Sequence, residues 1–113
     1  MRLGALILFL LTLVPVCAQD ALREDERLQF ADGLYARKMN ELAIKEYQTF
    51  LADFPDTPKA DLVHFRMGEC YRLLGDRAAA DREFRTVFTG YAGSPIRFKA
   101  GMRRAPIICR KQN

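Results

Sequence analysis

Phe30-Ala31-Asp32-Gly33-Leu34-Tyr35 and, 37 positions later, Met67-Gly68-Glu69-Cys70-Tyr71-Arg72 open two copies of one pattern. Sliding the chain by 37 pairs Phe30 with Met67, Ala31 with Gly68, Leu34 with Tyr71 and Ala43 with Ala80. Tyr47 then meets Phe84, Phe50 meets Val87, Leu51 meets Phe88, Phe54 meets Tyr91, and Thr57-Pro58 meets Ser94-Pro95, without a gap. Apolar matches alone arise by chance between any two helices. Small residues, aromatics and a hydroxyl-proline pair in a single register are the mark of an internal repeat.

Each copy reads as two helices. Ala43, Ile44, Tyr47, Phe50, Leu51 and Phe54 are spaced to make one apolar stripe of a helix. Asn40 is its expected N-cap and Pro55 its stop. Thr57-Pro58 supplies the start of the next helix, whose apolar residues are Val63, Met67, Cys70, Tyr71 and Leu74. Gly75 suits its C-terminal cap, and Asp76 the N-cap of a fourth helix carrying Ala80, Phe84, Val87, Phe88 and Tyr91. Leu28, Ala31, Leu34 and Tyr35 mark a first helix that begins after Asp20. No stretch alternates with period two, so no strand is expected. Links of two to five residues make the helices of a pair antiparallel. The small residues Ala31, Gly68, Ala43 and Ala80 let their backbones approach.

These residues resemble the tetratricopeptide repeat, whose pattern runs apolar-small-x-x-aromatic, Gly, Ala, aromatic, Pro. Met67, Gly68, Tyr71, Gly75, Ala80 and Phe84 match it in the second copy, and Phe30, Ala31, Leu34, Ala43, Tyr47 and Pro55 in the first. Lys38 stands where glycine is usual, Ala92 replaces the closing proline, and the period exceeds the family's usual 34 by three residues. The longer linker is similar to that of the exported bacterial subset that includes the YbgF/CpoB proteins and the BamD lipoproteins. The resemblance implies an all-α fold of two tetratricopeptide-like helix pairs plus a short capping fifth helix. It also implies a concave groove holding a partner peptide or helix, lined here by Leu28, Asp32, Tyr35, Leu62, Phe65, Glu69 and Arg72.

Outside the repeats, Arg2 precedes an uncharged run from Leu3 to Val14, shorter than the roughly 20 residues that span a bilayer. Pro15 and Val16-Cys17-Ala18 follow, which reads as an export signal over 1–18 cut before Gln19. The alternative is lipidation at Cys17, against which the bulky Val16 stands. Export places the domain, 19–105, in the periplasm or outside the cell. At the other end a third copy starts at Ala105, and Pro106 is expected to stop it, leaving 106–113 as a disordered basic tail. From Arg97 onward six basic residues and no acidic one occur, whereas 19–96 holds eleven basic and fourteen acidic residues. That end suits an acidic partner or an anionic membrane surface, or is the solvated face of a cap. Export disfavours nucleic acid.

Composition points away from catalysis. The 113 residues include one histidine, three cysteines and no tryptophan, and no Gly-rich phosphate loop. His64, between Val63 and Phe65, has no catalytic neighbour in sequence and reads as a packed or half-exposed side chain. Neither Cys70 nor Cys109 has a CxxC partner, and whether they pair stays open. The charge run Arg23 to Arg27 reads as a solvated first turn. No cofactor or metal is expected. The function expected is protein recognition by an envelope adaptor. The alternatives are a self-assembling repeat unit, or the front of a longer array.

Overall fold

In a computed structural model the chain is described from residue 16 to 111, with side chains from 19 to 107. Five helices follow one another: α1 (Val16–Ala36), α2 (Asn40–Asp53), α3 (Ala60–Leu73), α4 (Arg77–Gly90) and α5 (Arg97–Lys111). No strand occurs among the described residues. Each helix packs on its sequence neighbours, as short links require.

The breaks between helices follow from local chemistry. Gly75 ends α3 with a φ of +83°, a conformation that costs glycine nothing. Its N–H donates to the Arg72 carbonyl, and the Asp76 N–H to that of Tyr71. The Asp76 carboxylate then accepts from the Ala79 N–H at 3.1 Å and caps α4. Lys38 takes the same role 37 residues earlier, with a φ of 63° and the matching bonds from Lys38 to Tyr35 and from Met39 to Leu34. The departure from glycine at Lys38 therefore leaves the turn intact. The aligned partner of Asp76 is Met39, which occupies the N-cap of α2 and cannot cap it. Asn40, expected as that cap, is the first helical residue instead, and its buried Oδ1 has no hydrogen-bond partner among the described residues.

Two apolar clusters form the core. Leu28, Ala31, Ala43, Ile44, Tyr47, Phe50, Val63, Met67 and Cys70 make the first. Phe65, Ala80, Phe84, Val87, Ala100 and Ile107 make the second. All six members of the second stand 37 residues after a member of the first: Phe65 after Leu28, Ala80 after Ala43, Phe84 after Tyr47, Val87 after Phe50, Ala100 after Val63 and Ile107 after Cys70. The linkers repeat as well. Thr57 Oγ1 donates to the Glu24 carboxylate and accepts from the Lys59 N–H. Ser94 Oγ donates to Asp61 at 2.6 Å and accepts from the Ile96 N–H. Thr57 and Ser94 thus cap a turn that precedes the helix by two residues, and pin it to the helix before last, α1 and α3 respectively.

Three further expectations need correction. The first helix begins at Val16, not after Asp20, since no breaker separates Val16 from the apolar stripe. The Arg23–Arg27 run is more than a solvated turn: Arg27 pairs with Asp53 at 2.9 Å, and Asp25 with Lys59. Pro106 does not end the fifth helix, which runs on to Lys111, so 106–113 is helical over its described part. Proline forfeits one backbone hydrogen bond and crowds the carbonyl four residues back. Here that carbonyl belongs to Met102 on the open side of the helix, and Ile107, 6% exposed, anchors the following turn in the second cluster. The export segment before Val16, and the side chains of Cys17 and Cys109, lie outside the described residues.

Candidate functional site

The helices α1, α3 and α5 share a polar face built on two equivalent ion pairs. Arg66 on α3 donates to Asp32 on α1. Arg103 on α5, 37 residues after Arg66, lies 3.2 Å from the carboxylate of Glu69 on α3, 37 residues after Asp32. Arg72 donates to the other oxygen of Glu69 at 3.1 Å. A ladder of alternating charge therefore links alternate helices across the face.

The two rungs differ where their aromatics differ. Tyr47 is wholly buried, and its hydroxyl donates to Asp32 at 2.6 Å. Phe84 holds the equivalent place and has no hydroxyl. Glu69 Oε1, beside Arg103 but off the line a hydrogen bond needs, accepts none among the described residues. A hydrogen bond to a charged acceptor contributes about 1.5–3 kcal/mol. Asp32 is partly solvated, so Tyr47→Phe is expected at the low end, about 1–2 kcal/mol less stable by urea denaturation. Phe84→Tyr is expected to hold or raise the midpoint by supplying the donor Glu69 lacks. Equal losses in the two variants would contradict the equivalence of the rungs.

The expected groove residues divide. Leu28 and Phe65 are 6% and 7% exposed and belong to the two core clusters, so they cannot line an open surface. Their spacing fits either face of a helix, and only the position of the next helix separates the two. Asp32, Tyr35 and Leu62 are half-buried, Glu69 is buried, and Arg72 is exposed. Tyr35 stands within the field of the ladder: burial, then the Glu69 charge, raise its pKa, while Arg66 and Arg72 act against them. Arg66 and Arg103 were not among the expected groove positions. Their signal was present in the register, since both stand 34 residues after the acid they meet. An alignment that scores apolar and small residues passes over it. Beyond Arg72 a cleft of about 330 Å³ opens between Arg72, Arg77 and Arg103, floored by Pro106 and Ile107.

Burial, followed by the bond and charge of Asp32, raises the Tyr47 pKa far above its ordinary value, so the phenol stays a hydrogen-bond donor. Burial, then the charge of Glu69, pushes the Cys70 thiol up to about 11, so no thiolate nucleophile forms at neutral pH. His64 Nδ1 lies 2.7 Å from Glu83 Oε2, joining α3 to α4, with the Tyr91 ring 6.2 Å away. Among the described residues no group of three His, Cys, Asp or Glu side chains could hold a metal ion. No described helix is long and apolar enough to cross a membrane. No known protein family, curated protein or solved structure matches the chain.

Proposed function

We propose that the chain is a non-enzymatic protein-interaction module of the tetratricopeptide type, exported to the periplasm, which holds a peptide or helix of a partner protein against the face of α1, α3 and α5. The observation that carries this reading is the charge ladder. Asp32–Arg66 and Glu69–Arg103 repeat along one face, and Tyr35, Arg72 and Arg103 beside them keep surface open to solvent. A ligand with both charge signs and an apolar side would meet both kinds of group there. The protonated states of Tyr47 and Cys70 support recognition over nucleophilic chemistry.

The test is photo-crosslinking in the periplasm from single positions. Probes at Tyr35 and Arg72 are expected to capture one partner band, and probes at Lys45 on α2 and Arg85 on α4, both exposed, to capture none. Tyr35→Ala with Arg72→Glu is expected to cut that capture at least tenfold at a temperature below its melting transition, which falls because Tyr35 packs on the first cluster and Arg72 donates to Glu69. Equal capture from all four positions, or none from the ladder, would overturn the reading. The intact mass of the recovered protein reads its processing. A chain starting at Gln19 fits the export proposal, and an acylated Cys17 would make it a lipoprotein.

A further inference from the structure

Leu28, Phe65 and Met102 stand 37 residues apart, one on each of α1, α3 and α5. The first two are 6% and 7% exposed, covered by the cores that α2 and α4 complete. Met102 is 70% exposed. Gly68, against which the Phe84 ring lies, corresponds to Ala105, which is exposed too. Phe98, one turn before Met102, is 70% exposed. This side of α5 is thus the side that α1 and α3 bury against a following helix. The opposite end of the stack has the complementary defect. Met67, 3% exposed, packs back into the first cluster, while its equivalent on α1, Phe30, is 57% exposed. Leu22, two turns earlier on α1, is 63% exposed.

Charge selects between the occupants such a face could take. From Gln19 to Ala36 α1 carries five acidic and two basic residues, and α5 carries six basic and none acidic. Asp20 and Glu26 on α1, and Lys99 on α5, make no ion pair among the described residues. We infer that the α5 face of Phe98, Met102 and Ala105 docks on the α1 face of Leu22, Glu26 and Phe30 of a second copy. The contact joins two different surfaces. Each copy keeps one free end, and the association grows open stacks rather than a closed dimer. A contact of one helix on another lies at the small end of protein interfaces, so the association is a weak one, loosened by salt. This inference does not rest on the ladder as a partner site.

Sedimentation velocity of the protein as isolated, over micromolar to millimolar concentrations, tests it. The weight-average mass is expected to rise through and beyond that of a dimer, and less steeply in high salt. Phe98→Gln with Met102→Gln, and separately Leu22→Gln with Phe30→Gln, are each expected to leave a monomer, with helical circular dichroism unchanged because all four side chains are exposed. Mixing the two variants leaves one intact face on each, and is expected to restore a one-to-one dimer and nothing larger. A monomer at every concentration would overturn the inference, as would loss from the α5 variant alone, which marks α5 on α5, or a mixture that stays monomeric. Unchanged crosslinking from Tyr35 in the α5 variant keeps this outcome separate from that of the ladder.

Discussion

Gly68→Leu is expected to cost at least about 3 kcal/mol, a large share of the stability of a domain this size. A Cβ placed at Gly68 would sit 2.6 Å from Phe84 Cε1, 2.8 Å from Cδ1 and 3.0 Å from Cζ. The ring cannot retreat. Phe84 is fully buried, meets Phe65 as a tilted ring pair at 5.5 Å, and shares the second cluster with Ala80 and Val87. A larger residue must therefore part α3 from α4, and with them the second cluster. Even Gly68→Ala is expected to destabilise, although alanine is the better helix former by about 1 kcal/mol. Gly33 on α1 is the control, because a Cβ there meets nothing within 4 Å. Gly33→Ala is expected to raise the urea midpoint through helix propensity alone. Shrinking the ring in Gly68→Ala with Phe84→Leu is expected to lose less than the sum of the single changes. A midpoint unmoved by Gly68→Leu would mean that the close approach of α3 and α4 at this point is wrong.

Alkaline pH is expected to unfold the protein well before most salt bridges lose their charge. Cys70 is fully buried, and its thiol is held up at about 11 by burial and by Glu69. The unfolded chain releases that proton near pH 9, so between roughly 9 and 11 the native state binds more protons than the unfolded state. Stability from this group is complete below pH 9 and drains away as pH rises through about 11, by roughly 2–3 kcal/mol in all. Tyr47, Tyr35 and Tyr71 are raised in the same direction, chiefly by burial, and add to the loss above their ordinary value of 10.0. Urea midpoints at pH 7, 9 and 10.5 are expected to fall steeply over the last interval. Cys70→Ala is expected to start lower, because it leaves a cavity, and to fall less steeply over that interval. At neutral pH the native thiol is expected to resist alkylation until denaturant is added. Parallel pH curves for the protein and Cys70→Ala would remove Cys70 as a cause.

What the sequence carried by itself was the helical order and its period. Helix stripes are written in apolar spacing, and the stops in residues with their own backbone chemistry, such as Gly75 with Asp76, so both can be read without knowing what they touch. The spacing of 37 also placed Gly68 against a partner helix before any distance was known. Local chemistry misled where a distant contact outweighed it. Pro106 reads as a stop, yet Ile107 is buried and carries α5 past it. Asn40 reads as a cap, yet the turn at Lys38 puts Met39 in that place. The candidate site was the least legible part. Leu28, Phe65 and Met102 share one register and one kind of side chain, and nothing local tells a buried position from an open one. That difference is set by whether another helix follows, which is a property of the stack. The rungs Asp32–Arg66 and Glu69–Arg103 join different helices, so the partner of each charge emerged only when α1, α3 and α5 were laid side by side.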